Sequence, residues 1–278
     1  MPASQHSTVF RKGSKTYYFS SFFFPRAVRN DVYVLYGFVR IADNLVDDQR
    51  VDKEAFYRFR SMYEQVLKTG EPCKDPIIDS FVELQKRKQF EQEWVDAFLD
   101  SMEQDLDFRP CEIIEDSIRY MYGSAEVIGL FMAKVMDLVP ESYHYAAMLG
   151  RAMQYINFLR DIEEDNRLGR RYIPLKYSNL QSLSKTYVES HQEQFEMFIK
   201  SELQRYMQWQ RSAAEGYHFI PRRYRIPIMT AADMYCWTAR MIQKNPMVVY
   251  EKKVKPSKFR IIRRALAHLF NVASGCSL

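Results

Sequence analysis

Glycine is scarce in this chain, with nine residues among 278. A fold rich in tight turns needs more glycine, so the scarcity favours helices. No GxGxxG fingerprint occurs, which gives no sign of a Rossmann dinucleotide site. No run of about 20 apolar residues occurs either, so we expect no membrane-spanning segment.

The sequence also lacks the pattern of a signal peptide and the paired cysteine spacings of a disulfide framework or metal site. The first 15 residues lack the apolar core of a signal peptide. The four cysteines have no paired spacing and form no CxxC, and the five histidines are scattered and suggest no metal site. This pattern indicates a reducing compartment. We therefore expect a cytoplasmic protein, with peripheral contact to a membrane as a further expectation.

Charge is spread unevenly. Residues 251–278 hold seven Lys and Arg against one acidic residue, a net charge of +6, whereas the whole chain carries +5. Such a tail indicates an anionic partner such as phosphate, diphosphate or lipid head groups. A nucleic acid is not expected, because no basic recognition face is laid out. The apolar side of the tail favours a last helix packed on the core over a helix lying on anionic membrane; it comprises Ile262, Leu266, Leu269 and Phe270.

Helical periodicity dominates, and hydrophobic residues, at 47%, are ample for a buried core. No stretch alternates with period two, and no linker or repeat interrupts the pattern. We predict a single all-α domain over residues 1–278. Its predicted helices cover 25–48, 53–67, 76–87, 92–106, 113–136, 141–166, 184–216, 222–243 and 257–272.

The first of these helices carries a polar stripe. Tyr36, Arg40, Asp43 and Asp47 are spaced four, three and four apart, which places them on one helix face. The rest of the helix is largely apolar and should pack inside. Charge removed from water is costly unless it is paired or bound to metal. A divalent cation would also relieve the repulsion between the two carboxylates.

A second stripe lies on the helix predicted over 141–166. Gln154, Asn157, Asp161 and Asp165 are spaced three, four and four apart, with Arg160 beside them. Oxygen ligands without His or Cys suit Mg²⁺, with Mn²⁺ as a second candidate. Either stripe alone is most simply a solvated helix face with salt bridges. Two stripes, each with an arginine beside its carboxylates, favour a site where phosphate bridges metal and guanidinium.

These motifs resemble the squalene/phytoene synthase family, the head-to-head condensing branch of the isoprenoid synthases. The similarity begins at SKTYYFSSFFFP and DNLVD, continues through YMYGSAEVIG, and is strongest at QYINFLRDIEEDNRLGRRYIP. It covers nearly the whole chain. The resemblance implies an all-α helical bundle around a central cavity, with prenyl diphosphates as substrates.

The resemblance also implies roles for individual residues. Magnesium binding and catalysis fall to Asp43, Asp47, Asp161 and Asp165. Contacts to diphosphate are implied for Ser14, Thr16, Arg40, Arg160, Arg170 and Lys258. The pocket would be lined by Tyr36, Tyr122, Gln154, Asn157, Tyr172 and Tyr235. Tyr172 or Tyr235 would assist proton removal, with released diphosphate as an equally good base.

The reaction that the resemblance implies has two steps, through a cyclopropylcarbinyl diphosphate. The favoured hypothesis is a phytoene synthase that joins two geranylgeranyl diphosphates. The runner-up is a squalene or dehydrosqualene synthase acting on farnesyl diphosphate, and NADPH would be needed only for squalene. A non-catalytic scaffold member ranks behind both, because such members tend to lose the metal-binding carboxylates. The sequence leaves monomer and homodimer open.

Overall fold

The computed structural model describes residues 21–47 and 52–270. Helices and the loops between them make up this part of the chain, which contains no β-strand. Short 3₁₀ turns and loops connect the helices. In chain order the α-helices are α1 (Arg26–Asp47), α2 (Lys53–Thr69), α3 (Pro76–Lys88), α4 (Gln92–Gln104), α5 (Ile114–Met121), α6 (Val127–Val135), α7 (Tyr143–Arg160), α8 (Ile162–Arg167), α9 (Lys185–Glu189), α10 (Gln192–Glu215), α11 (Arg222–Lys244), α12 (Val248–Glu251) and α13 (Lys258–Leu269).

The predicted all-α fold is confirmed, but three predicted helices are divided. The helix expected over 113–136 is interrupted by a π-helical segment, Tyr122–Glu126. The helix expected over 141–166 breaks at Asp161, whose φ of −101° and ψ of 16° lie outside helical values. The helix expected over 184–216 breaks between Glu189 and Gln192. Apolar periodicity persists through each break, so it did not signal any of them.

Local sequence explains where α2 and α3 begin and end. Asp52 caps α2 by accepting a 2.9 Å hydrogen bond from the Ala55 amide. The helix stops at Gly70, whose φ of 76° is left-handed and suits glycine. Asp75 caps α3, with Pro76 at the first helical position, where a missing amide hydrogen costs nothing.

Two apolar clusters form the core. In the first, α1 packs on α2, α3 and α4, and Phe38 stacks on Phe81 with ring centroids 3.7 Å apart. In the second, α7 packs on α10 around the buried Tyr155 and Phe195. Helix α7 is therefore enclosed by neighbours on several sides, which makes its orientation rigid.

The π-helical segment lies unusually close to its neighbours. A Cβ at Gly123 would sit 2.1 Å from the Ala97 carbonyl oxygen of α4, and one at Gly150 would sit 2.3 Å from the Ala125 carbonyl oxygen. Only glycine permits such backbone approach. These contacts fix α7 against the segment and so set the position of the second polar stripe.

Candidate active site

An apolar cavity of about 410 Å³ lies between α1, the π-helical segment, α6, α7 and α11. Four of the residues predicted to line a substrate pocket lie in its wall: Tyr36, Gln154, Asn157 and Tyr235. They come from three helices far apart in sequence. The fold thus brings the start of both polar stripes to a single chamber.

On α1 the stripe continues beyond the cavity wall. Arg40 forms an ion pair with Asp43, whose side chain is about one-third exposed. Burial raises the pKa of the Tyr36 phenol above its ordinary value. The charge of Arg40 lowers this pKa and the charge of Asp43 raises it, both by less than burial does. The side chain of Asp47 lies outside the described residues, as do Ser14 and Thr16. One guanidinium and one carboxylate therefore follow the cavity-lining Tyr36 within two turns of α1.

On α7 the stripe begins with an amide pair. The buried Asn157 Oδ1 has no hydrogen-bond partner in the described structure, while Asn157 Nδ2 donates weakly to Gln154 at 3.4 Å. A buried polar atom without a partner is costly. Because Asn157 lines the cavity, this oxygen is placed to bind a ligand or water there.

The helix break places the first carboxylate of the second motif. The Arg160 guanidinium donates two hydrogen bonds to the Asp161 carboxylate, one of them from Nε at 2.9 Å. The Asp165 amide still donates to the Asp161 carbonyl at 2.8 Å, so the two aspartates remain one turn apart across the break. Asp165 is partly buried. Both polar stripes therefore carry an arginine in contact with an aspartate.

Lys253 is a cation at this site that no sequence motif indicated. Its Nζ pairs with Glu164 and lies 3.7 Å from Asp161 Oδ1. The predicted tail cation, Lys258, is instead exposed at the start of α13. The basic tail was the available signal, but sequence alone did not say which lysine folds back onto the second motif.

Arg170 ties the two stripes together. Its guanidinium donates a 2.8 Å hydrogen bond to the Val46 carbonyl, in the last turn of α1, and a 3.4 Å bond to the Asp105 carbonyl. Its own amide donates to the Asp165 carbonyl at 2.8 Å. Arg170 is 7% exposed. The ends of both acidic stripes are thus held to one buried residue, α1 through its side chain and Asp165 through its main-chain amide.

Tyr172 is placed in the core rather than in the cavity wall. Its hydroxyl donates to Asp105 at 2.9 Å, and its ring stacks on Phe158 with centroids 4.5 Å apart. Burial, reinforced by the Asp105 charge, raises the pKa of Tyr172 far above its ordinary value. Tyr120 donates to the other oxygen of Asp105 at 2.8 Å. Asp105, which no sequence motif singled out, is the centre of this buried triad.

Tyr122 is also absent from the cavity wall. It begins the π-helical segment and is 41% exposed. A continuous α-helix, as the periodicity predicted, would point the Tyr122 side chain in a different direction from the π-helical segment.

The donor set suits magnesium. Asp43, Asp161 and Asp165 offer carboxylate oxygens, without the thiolates or imidazoles that select softer metals. No preassembled group of three or more acidic, histidine or cysteine ligands exists within 21–47 and 52–270. Magnesium commonly takes only a few protein carboxylates and completes its shell with water and substrate phosphate. Two separate acidic stripes fit that mode of binding.

The helical bundle with its central cavity is the isoprenoid-synthase fold. A dehydrosqualene synthase crystallised with a ligand superposes with a TM-score of 0.83, over 97% of this chain and 95% of that chain, at 21% identity. At that identity the likeness concerns the fold. It confirms the predicted architecture.

The chain belongs to the squalene/phytoene synthase family, whose model matches residues 10–260. The phytoene synthase of Pseudescherichia vulneris is 30% identical over 63% of this chain and 61% of its own length. The 4,4'-diapophytoene synthase of Staphylococcus haemolyticus is 27% identical over 59% of each chain. This chain therefore spans about three-fifths of these relatives. The predicted family, and with it an enzyme of the phytoene or squalene synthase type, is confirmed.

Proposed function

We propose that this protein condenses two prenyl diphosphates head to head, and that the favoured reaction joins two geranylgeranyl diphosphates into phytoene. The observation that carries the proposal is the placement of two acidic stripes, each with its arginine, beside one apolar cavity and bound together by Arg170. The charged groups would bind the diphosphates, and the apolar cavity would hold the hydrocarbon chains.

Ionisation of the first substrate breaks its allylic C–O bond and leaves negative charge on diphosphate. Arg40, Arg160 and Lys253 lie where they can take up that charge, which is the largest stabilising effect available to the protein. The residues proposed to hold magnesium are Asp43, Asp47, Asp161 and Asp165. Bound there, the metal would neutralise the departing diphosphate.

The allylic cation must then meet carbon rather than water. The cavity wall is predominantly apolar and excludes water. Tyr36 and Tyr235 line it, and an aromatic ring can stabilise a nearby cation. The double bond of the second substrate captures the cation, forming a C–C bond and, after proton loss, a cyclopropylcarbinyl diphosphate. Asn157 and Gln154 would orient the polar end of this intermediate.

In the second step the intermediate loses its own diphosphate, rearranges and gives up a proton. Tyr235 lies in the cavity wall, where it or the released diphosphate can accept that proton. The raised pKa of Tyr172 and its bond to Asp105 support a positioning role for that residue instead. Its direct participation stays a prediction from the resemblance.

The runner-up is condensation of two farnesyl diphosphates to dehydrosqualene, or to squalene with hydride from NADPH. The relative named 4,4'-diapophytoene synthase keeps this alternative open. A scaffold role ranks behind because the sequence retains all four aspartates of the two motifs, Asp43, Asp47, Asp161 and Asp165.

The test incubates purified protein with Mg²⁺ and either the C15 or the C20 diphosphate, with and without NADPH. Phytoene from the C20 substrate without NADPH supports the proposal. Product from the C15 substrate alone would replace it with the runner-up. No hydrocarbon from either substrate, with folded protein and metal present, would leave the scaffold role.

A further inference from the structure

The last helix among the described residues, α13, packs against α11 with one of its faces. Ile261, Ala265 and His268 are buried on that face. Asp233 of α11 accepts hydrogen bonds from Arg264 and His268, each at 2.7 Å. The predicted packing of this helix on the protein body is therefore present, and it determines which side of α13 is left outside.

The outward side of α13 is apolar. Its five large side chains are spaced three, four, three and one apart, which forms a stripe about two-sevenths of the helix circumference wide. Their exposed fractions range from 43% to 76%. The residues of this apolar stripe are Phe259, Ile262, Leu266, Leu269 and Phe270. Contiguous exposed apolar residues of this size indicate a contact surface.

Cations surround the apolar stripe. Lys252, Lys255, Lys258 and Arg263 are all exposed and form no ion pair among the described residues. Glu251 is the single acidic residue between positions 251 and 270. Lys253 and Arg264 are engaged elsewhere, with Asp161 and Asp233. The surface thus combines insertable apolar groups with uncompensated positive charge.

We propose that this face of α13 docks on a membrane that carries anionic lipid. The apolar stripe would enter the boundary between head groups and acyl chains, while the flanking cations would meet lipid phosphates. A second copy of the chain is a poorer occupant, because a symmetric contact would bring two basic surfaces together. Within residues 21–47 and 52–270, none of the helices could span a bilayer. The proposal does not depend on the reaction proposed above.

The test is flotation of the full chain with vesicles of phosphatidylcholine, with or without phosphatidylglycerol. Binding is expected with the mixed vesicles and should weaken as salt rises. The double variant Ile262→Gln/Leu266→Gln should weaken binding roughly tenfold or more per side chain. The double variant Lys255→Gln/Arg263→Gln should weaken it roughly 25-fold, with little effect on binding to pure phosphatidylcholine.

Two matched controls separate this surface from general exposure. Tyr177→Gln/Met197→Gln removes exposed apolar side chains elsewhere, and Lys86→Gln/Lys200→Gln removes two exposed charges elsewhere. Both should bind vesicles like the parent protein. The proposal is overturned if the controls lose as much binding as the α13 variants. It is also overturned if the folded parent protein does not float with the mixed vesicles. A dimer in sedimentation that becomes a monomer in the Ile262→Gln/Leu266→Gln variant would likewise overturn it.

Discussion

Arg170 donates a 2.8 Å hydrogen bond from its guanidinium to the main-chain carbonyl of Val46, which lies 124 positions earlier in the chain. The bond joins the last turn of α1 to the loop that follows the second acidic motif. Because Arg170 also holds the Asp165 carbonyl through its own amide, the relative position of the two acidic stripes depends on this residue.

Replacing Arg170 should therefore reduce stability and turnover together. Arg170→Gln is expected to lower the free energy of unfolding by about 2–4 kcal/mol, because buried carbonyls lose a charged donor. Urea denaturation and product formation measure the two effects. Arg167→Gln is the control, since Arg167 is 74% exposed, and it should stay within about 0.5 kcal/mol. Lost turnover with unchanged stability would instead place the guanidinium on the substrate diphosphate.

Asp161 should matter for catalysis far more than for folding. Asp161→Asn keeps the shape of the side chain but removes the charge that would hold metal and face Arg160. We expect turnover to fall by roughly 100-fold or more, and the Mg²⁺ concentration for half-maximal activity to rise roughly tenfold. Asp107→Asn, at a position 92% exposed, should leave both unchanged. Full activity of the Asp161 variant after treatment with a chelator would contradict a metal role.

Ala146 tests whether the cavity accommodates the longer substrate. It lines the cavity eleven residues before Asn157, or roughly 16 Å along α7 from the polar end. Ala146→Leu should shorten the chamber and lower turnover of the C20 diphosphate roughly tenfold relative to the C15 diphosphate. His144→Leu, at an exposed position of the same helix, is the control. An unchanged ratio of the two turnovers would place the prenyl chain elsewhere.

Asp233 should make the attachment of α13 sensitive to acid. Burial alone would raise the pKa of Asp233, but hydrogen bonds from His268 and Arg264 hold it below its ordinary value. A lowered folded-state pKa adds stability above the unfolded value and loses it as pH falls through the folded value, here below about pH 4. Asp233→Asn should cost about 2 kcal/mol at pH 7.

The same variant should lose less stability than the parent protein between pH 4 and more acidic conditions, because its side chain no longer titrates. Urea denaturation followed by tryptophan fluorescence measures this, since Arg260 of α13 lies 4.9 Å from the Trp237 ring centroid. Asp137→Asn, at a position 75% exposed, controls for general loss of an acidic charge. Equal acid sensitivity in parent and Asp233 variant would refute the assignment.

The helices themselves were largely predictable from the sequence. The expected start of the second helix at residue 53 and of the fourth at 92 coincide with Lys53–Thr69 and Gln92–Gln104. Caps and apolar spacing act within a few residues, so they are legible along the chain. The π-helical segment Tyr122–Glu126 was not predictable in this way, because it depends on how closely Gly123 can approach α4.

The polar stripes were legible for the same reason. Spacings of three and four residues suffice to place Tyr36 with Arg40 and Asp43, and Asn157 with Asp161. The family motifs added a cation from the tail and indicated Lys258, whereas Lys253 is the lysine beside Asp161. Which residues share a helix face depends only on local spacing. The contact between Lys253 and the second acidic motif, some 90 residues earlier, depends on how the whole chain folds.

The sequence by itself determined an all-α chain, two acidic helix faces and a basic, amphipathic end. Tertiary structure decided that Arg170 joins those faces, that Tyr172 donates a hydrogen bond to Asp105 in the core, and that the apolar stripe of α13 is exposed. The reason is physical. Periodicity fixes which side chains share a face, but packing of the whole chain decides what each face meets.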